Sequence, residues 1–120
     1  MSKSILIVDD SRVSRMMIKS IVLDKYPDWS ITEAGDGQQA IDVAKGKHID
    51  YFSVDINMPN KNGFAVIETL KPDFPDSRFV LMTANIQKAT LEHSKKLGAL
   101  LINKPITEDS VGSMLTYFIE

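Results

Sequence analysis

Five polar residues stand at or just after the ends of short apolar runs in this sequence: Asp9, Asp10, Asp55, Thr83 and Lys104. Three carboxylates brought together repel one another and favour a hard, oxygen-preferring cation such as Mg2+. A hydroxyl and an ammonium would add a hydrogen bond and a positive charge, which suit the oxygens of a transferred phosphoryl group. Aspartate is itself a nucleophile for phosphoryl groups. The residue types together therefore indicate phosphoryl transfer to an aspartate.

Asp55 is the candidate nucleophile, because an apolar run over residues 51–54 leads into it and a turn rich in Pro, Asn and Gly follows. A carboxylate at such a point is held by a rigid strand and still meets solvent. An isolated aspartate here is more commonly a turn or capping residue. The other four residues have similar structural explanations when taken singly, but their joint occurrence at strand ends favours one shared site.

Strand and helix patterns alternate along the whole chain. Strands are predicted at residues 5–8, 30–34, 51–55, 78–82 and 99–103. Helices are predicted at residues 11–24, 38–45, 63–71, 86–97 and from 107 onward. This alternation predicts a doubly wound α/β fold, in which a five-stranded parallel sheet carries helices on both faces. Ligands of such sheets bind beyond the carboxyl ends of the strands, where the five polar residues are expected.

Helical spacing also predicts which side chains are buried. The fourth helix has only a thin apolar stripe of Ile86, Ala89 and Leu97, so little apolar area would hold it to the sheet. Met16 and Met17 are interpreted as core-filling residues of the first helix. The inner faces of the first and last helices are predicted to contain Val13, Met16, Met17, Ile21 and Val22, and Val111, Met114, Leu115, Phe118 and Ile119, respectively.

Composition narrows the class of protein. The 120 residues suit one domain over residues 1–120 with a single core. Cysteine is absent, which excludes disulfides and thiolate chemistry and agrees with a reducing cytoplasm. No apolar run has the length of a membrane span and no signal-peptide pattern is present, so we expect a cytoplasmic protein without membrane insertion. Lys and Arg number 14 against 16 Asp and Glu, a net charge of -2 that argues against direct nucleic-acid binding.

The same residues carry a family resemblance that covers essentially the whole chain. Ile-Val-Asp-Asp at the first strand end, Met58-Pro59 and Gly63 after Asp55, Thr83-Ala84, and Lys104-Pro105 together form a highly specific combination. The chain resembles the receiver domain of two-component response regulators, and its length is most like that of the stand-alone chemotaxis regulators of the CheY type. The resemblance implies a flavodoxin-like and CheY-like arrangement of five strand-helix units with strand order 2-1-3-4-5.

The resemblance also implies a role for each site residue. Asp55 would be the phosphoacceptor, and Thr83 and Lys104 would contact the phosphoryl group. Asp9, Asp10, Asp55 and the backbone carbonyl of Asn57 would form the Mg2+ site. Lys104-Pro105 would be a cis peptide bond, as the family implies. The protein would be a signalling switch that catalyses its own phosphorylation and slow dephosphorylation, not a conventional enzyme.

Partners follow from the same resemblance. A sensor histidine kinase or a phosphotransfer protein would supply the phosphoryl group, and a downstream protein would bind the face formed by helix 4, strand 5 and helix 5. One position departs from the family pattern. Leu101 stands three residues before Lys104, where the family commonly has an aromatic side chain that turns inward on activation. Of the two residues that the family implies for the conformational switch, the sequence therefore retains the hydroxyl residue, Thr83, and lacks the aromatic residue.

Three alternatives stay open at the level of sequence. An aspartate-nucleophile phosphatase of the haloacid dehalogenase type requires a second Asp two residues after the nucleophile, where this chain has Asn57. A flavodoxin has a Ser/Thr/Gly-rich phosphate-binding loop after the first strand, where this chain has the acidic pair Asp9 and Asp10. The chain could also be the receiver fragment of a longer regulator, which the sequence does not exclude.

Overall fold

The computed structural model describes residues 2–120, and its centre is one five-stranded sheet. The strand order is β2-β1-β3-β4-β5, and every neighbouring pair is parallel. The predicted α/β fold and the strand order implied by the resemblance are both confirmed. The strands are β1 (Ser4–Val8), β2 (Ser30–Ala34), β3 (Tyr51–Asp55), β4 (Arg78–Thr83) and β5 (Ala99–Asn103).

Five α-helices connect and follow the strands: α1 (Arg12–Lys25), α2 (Gly37–Ala44), α3 (Gly63–Leu70), α4 (Lys88–Lys96) and α5 (Glu108–Ile119). Four of them begin after a residue whose side chain accepts a backbone N–H of the first turn, which satisfies a donor that the helix itself leaves unpaired. These capping residues are Ser11, Asp36, Asn62 and Thr107. Gln87 precedes α4 without a side-chain capping bond. No helix in residues 2–120 is long and apolar enough to cross a membrane.

The core has two parts, one on each face of the sheet. Successive residues of β1 point to opposite faces, so Ile5 and Ile7 pack with α1 and α5, while Leu6 and Val8 pack with α2 and α3. The central strand β3 is buried along its whole length. The apolar run at residues 5–8, which does not alternate with polar residues, is likewise buried in β1, as expected for a parallel strand covered on both faces.

The predicted core face of α1 is confirmed only in part. Val22 is buried and Ile21 packs against the core, as predicted. Val13, Met16 and Met17 are instead 65%, 57% and 42% exposed, and Ile18, which was not predicted, is buried. Apolar side chains lie on two sides of α1, and spacing alone does not tell which side meets the sheet. Ile119 of α5 is also exposed, contrary to prediction, whereas the other four predicted core residues of that helix are buried.

The predicted stripe of α4 is also wrong in part. The helix begins at Lys88, two residues after the predicted start, and Ile86 and Ala89 are exposed. Ser94 is its buried residue, and Leu97 at its C-terminal end packs partly against the core. The helix is thus held by even less apolar area than the sequence indicated. Two further contacts from the α3 side attach it: the Lys71 ammonium donates to the Leu97 carbonyl, and the His93 ring stacks on Phe64 with ring centroids 4.0 Å apart.

Gly63 provides a test of how tightly the loop after β3 is packed. A Cβ at this position would lie 2.6 Å from the Asp55 carbonyl oxygen and 3.0 Å from Leu81 Cδ2. We therefore expect Gly63→Ala to lower the free energy of unfolding by about 1–3 kcal/mol, because backbone atoms would have to move. Urea unfolding followed by the fluorescence of the buried Trp29 measures this change.

Gly112 is the matched control for that substitution. It lies within α5, and the nearest atom that its Cβ would meet is 3.9 Å away. Gly112→Ala should raise the free energy of unfolding by about 0.5–1 kcal/mol, since alanine loses less backbone entropy in a helix. Equal effects of the two substitutions would contradict this account of the loop.

Candidate functional site

The register of the sheet brings the polar residues together at its carboxyl edge. Val8 of β1 pairs with Val54 of β3, so Asp9 and Asp55 follow a paired row of the sheet. Thr83 of β4 pairs with Asn103 of β5, and the Lys104 backbone N–H donates to the Thr83 carbonyl at 2.7 Å. The strand ends that the sequence singled out therefore converge on one side of the molecule.

Asp9, Asp10 and Asp55 form an acidic cluster. Each offers one carboxylate oxygen, and these oxygens all lie within 4.8 Å of one another. Asp9 and Asp55 are buried, whereas Asp10 is exposed. The Ser11 backbone N–H donates to the Asp9 carboxylate at 2.9 Å, which fixes this group. Carboxylate oxygens are the ligands that Mg2+ prefers, and the open side at Asp10 leaves room for its waters, so the cluster fits a Mg2+ ion.

Lys104 supplies the positive charge of the site. Its Nζ lies 3.2 Å from Asp9 Oδ2 and 3.4 Å from Asp55 Oδ1, so one ammonium bridges two buried carboxylates. Burial lowers the pKa of Lys104, but the charges of Asp55 and Asp9 outweigh this and raise the pKa above its ordinary value. Lys104 therefore stays protonated over the physiological pH range. The Lys104-Pro105 bond is cis, as the resemblance implied.

The environment of Asp55 opposes its ionisation. Burial, together with the negative charge of Asp9, raises the pKa of Asp55 to about 6, although the Lys104 ammonium and the Asn57 backbone N–H act in the opposite direction. The carboxylate is thus ionised at neutral pH but at a cost in free energy. A cation at the acidic cluster would lower that cost. A poorly solvated carboxylate beside an ammonium is also a suitable nucleophile for a phosphoryl group.

Thr83 is buried and directed toward its own loop. Its hydroxyl donates to the Asn85 carbonyl at 3.3 Å and accepts the Asn85 backbone N–H at 3.2 Å. These bonds link the end of β4 to the segment that leads into α4. Asn57 is exposed in the turn after β3. Leu101 is half-buried and packs against the core on the α3 side of the sheet.

Arg15 is a contact of the site that the sequence analysis missed. It lies one turn after the capping residue Ser11, and its guanidinium donates to the Asp9 backbone carbonyl at 2.7 Å. An arginine one helical turn into a helix that begins beside an acidic pair is a signal that could have been noticed. Nothing in the local sequence, however, shows that its side chain turns back toward the strand end.

Comparison with known proteins agrees with this geometry. Residues 5–116 match the response regulator receiver domain. The chain belongs to this family. Over 112 residues this receiver is 33% identical to the chemotaxis protein CheY of Bacillus subtilis, with 92% of each chain covered. It is also 33% identical over 108 residues to protein CcdB of the same organism, with 89% of each chain covered.

Longer relatives contain a comparable domain. The receiver is 29% identical over 114 residues to the autoinducer 1 sensor kinase/phosphatase LuxN of Vibrio harveyi, but it spans only 13% of that protein. Receiver domains are signalling switches that take phosphoryl groups from histidine kinases or phosphotransfer proteins, use Mg2+, and are generally not conventional enzymes.

Solved structures show the same fold. The receiver superimposes on CheY4 of Vibrio cholerae with a TM-score of 0.88 at 22% identity, covering 98% of this chain and 99% of that one. The response regulator TrrA of Thermotoga maritima, solved in complex with Mg2+ and BeF, has a TM-score of 0.82 at 22% identity and coverages of 97% and 98%.

The raised pKa of Asp55 leads to a prediction about stability. Because the folded protein holds this proton more tightly than the unfolded chain, whose ordinary value is 3.8, ionisation of Asp55 destabilises the fold as pH rises from about 4 through about 6. Asp55→Asn should therefore raise the free energy of unfolding at pH 7 by about 1–3 kcal/mol in the presence of a chelator. Urea unfolding measures the difference.

The same pair of proteins supplies the controls. At pH 4, where Asp55 is largely protonated, the variant and the original protein should have nearly equal stability. Added Mg2+ should stabilise the original protein more than the variant, because the variant lacks one carboxylate of the cluster. A variant that is less stable than the original at pH 7 in chelator would show that the ion pair with Lys104 outweighs the burial of the charge.

Proposed function

We propose that this receiver accepts a phosphoryl group on Asp55 in a Mg2+-dependent reaction and thereby changes its binding to a downstream protein. The observation that carries the proposal is the buried Asp55 carboxylate, which lies 3.4 Å from the Lys104 ammonium and within 4.8 Å of oxygens of Asp9 and Asp10. This arrangement combines a nucleophile, a fixed positive charge and an acidic cluster at one edge of the sheet.

Each residue has a part in the proposed reaction. An Asp55 oxygen attacks the phosphorus in line, so that a new O–P bond forms while the bond from phosphorus to the donor breaks and the donor keeps the electron pair. Lys104 pairs with the phosphoryl oxygens, and the Thr83 hydroxyl turns from Asn85 toward them. Asp9, Asp10, Asp55 and the Asn57 carbonyl would hold Mg2+, which when bound supplies positive charge to the reacting oxygens.

A small acyl phosphate tests the assignment without any protein donor. Incubation with acetyl phosphate and Mg2+ should add one phosphoryl mass to the intact chain, as seen by mass spectrometry. Asp55→Asn should add none, and Lys104→Ala should react on the order of a hundredfold more slowly, because the charge that stabilises the phosphoryl oxygens is lost.

Asp50→Asn is the matched control for the loss of a carboxylate. Asp50 lies just before β3, at the opposite end of the strand from Asp55, and hydrogen-bonds with Ser4 and His48. Its substitution should leave phosphorylation intact. Full modification of the Asp55→Asn protein would refute the assignment of the acceptor.

We infer a chemotaxis-type role for the receiver. The support is its 33% identity over 112 residues to the chemotaxis protein CheY of Bacillus subtilis. In such a role the phosphorylated receiver would act by binding another protein directly. Deletion of the gene should alter the swimming behaviour of a motile host, and unchanged swimming would count against this role.

The proposed output face consists of α4, β5 and α5. β5 is an edge strand, and both helices contact it from opposite faces of the sheet. Leu91 is 38% exposed on α4, and Leu101 and Tyr117 are half-buried on β5 and α5. Release of the Thr83 hydroxyl from Asn85 would free the segment that leads into the weakly held α4. A small change at the site could therefore move this helix.

Hydrogen exchange tests this route. Addition of beryllofluoride and Mg2+, which mimic the phosphoryl group, should change amide protection in α4 and in residues 99–103. Leu91→Ala should weaken binding of the downstream partner without altering phosphorylation of Asp55, because Leu91 is remote from the acidic cluster in the sequence and lies on the proposed face.

Met16→Ala is the matched control, because Met16 is also an exposed apolar side chain but lies on α1. It should leave partner binding unchanged. Exchange that changes only in the loops around Asp9, Asp55 and Lys104, with α4 unaffected, would mean that the receiver transmits its signal through another face.

A further inference from the structure

We propose that Arg15 is a positioning residue of the Mg2+ site, which holds the peptide between Asp9 and Asp10 in the orientation that directs the Asp10 carboxylate toward the ion. This inference rests on the proposed function and adds a residue outside the acidic cluster. Arg15 lies in the second turn of α1, and its side chain is only 18% exposed. It touches none of the three carboxylates that would bind the ion.

Two hydrogen bonds fix the Arg15 guanidinium. Its Nη1 donates to the Asp9 backbone carbonyl at 2.7 Å, and its Nε donates to Glu33 Oε1 at 3.1 Å. Glu33 belongs to β2, so the arginine joins α1, the end of β1 and the neighbouring strand. The planar guanidinium offers its N–H donors in fixed directions. The bond to Glu33 can therefore hold the guanidinium in the orientation in which it donates to the Asp9 carbonyl.

The carbonyl that Arg15 holds has a direct effect on Asp10. The carbonyl of Asp9 and the amide nitrogen of Asp10 belong to one planar peptide, so a bond to the first fixes the plane from which the second residue projects. The Asp9 backbone N–H already donates to the Ala34 carbonyl at 3.1 Å. Together these bonds hold the backbone of Asp9 on both sides.

The two neighbouring acidic residues differ in how their side chains are held. The Asp9 carboxylate is buried and bonded to the Ser11 N–H and to Lys104. Asp10 is exposed, so the backbone that carries it sets the direction in which its side chain leaves the chain. Loss of a hydrogen bond that orients a metal-binding residue typically weakens metal binding 10- to 100-fold. Arg15 is placed to exert such an effect on Asp10.

Charge and position predict opposite results when Arg15 is removed. A positive guanidinium beside the acidic cluster repels a cation, so loss of the charge alone would make Mg2+ bind more tightly. Loss of the bond to the Asp9 carbonyl would make Mg2+ bind more weakly, because Asp10 would no longer be held toward the ion. The direction of the change in Mg2+ affinity therefore distinguishes a positioning role of Arg15 from an effect of its charge alone.

Isothermal titration of Mg2+ into the whole chain, without any phosphodonor, measures this affinity. Arg15→Ala should raise the Mg2+ dissociation constant at least tenfold. Lys19→Ala is the matched control, since Lys19 also lies on α1 and its Nζ is 3.8 Å from the other Glu33 oxygen, but it is not bonded to Asp9. Lys19→Ala should leave the dissociation constant within about twofold, or lower it, as expected from charge.

Kinetics supply a second readout. With acetyl phosphate as donor, Arg15→Ala should need at least tenfold more Mg2+ for half-maximal phosphorylation of Asp55, and its rate at saturating Mg2+ should stay within a few-fold of the original. A variant that is merely misfolded would lose the maximal rate instead. If Arg15→Ala does not fold, as judged by circular dichroism, Arg15→Gln takes its place in both measurements.

An unchanged or lower dissociation constant in the Arg15 variant would overturn the positioning role. The unsubstituted chain is titrated first, which separates this result from a failure of the proposed function. If that chain binds no Mg2+ and takes no phosphoryl group, the proposed function is wrong. If it does both and Arg15→Ala behaves identically, only the role of Arg15 is wrong.

Discussion

The repulsion among Asp9, Asp10 and Asp55 is the interaction on which the rest of this receiver depends. Their oxygens lie within 4.8 Å of one another, and two of the three groups are buried. Lys104 bridges the two buried carboxylates but does not offset burial and the negative charge of Asp9, which raise the pKa of Asp55 to about 6. An unfavourable arrangement of this kind lowers stability and prepares the site for a cation and for a phosphoryl group.

The parallel sheet tolerates this repulsion because it fixes the backbone on every side. The register places Asp9 and Asp55 on neighbouring central strands, and the hydrogen bond between Lys104 and Thr83 ties β5 to β4. The loop after β3 packs so closely that no side chain fits at Gly63. The backbone positions of Asp9 and Asp55 therefore cannot move apart without disturbing strand pairing. The energy of the core, with its two apolar clusters on the two faces, outweighs the strain at the edge.

Rigidity at the acidic cluster contrasts with the weak attachment of α4. This helix buries only Ser94, and contacts of Lys71 and His93 on the α3 side hold its middle and its C-terminal end. Its N-terminal end follows the segment bonded to Thr83. Leu101 has no aromatic ring to turn inward, so in the proposed mechanism the segment from Thr83 to α4 carries the change without that second element. Movement concentrated at the N-terminal end of α4 is the simplest consequence of this uneven attachment.

The sequence by itself determined the alternation of strands and helices, the beginning of the first helix near residue 11 and of the last near residue 107, and the polar residues at the strand ends, because these depend on local periodicity and hydrogen bonding. Strand order entered only through the family resemblance, since nothing local specifies which strands pair. The tertiary structure alone decided which apolar stripe of α1 is buried: Val22 faces the sheet and Met16 faces solvent, although both suit a core. It alone also decided that Arg15 turns back to the Asp9 carbonyl, because a long flexible side chain finds its partner only after β2 and Glu33 are in place.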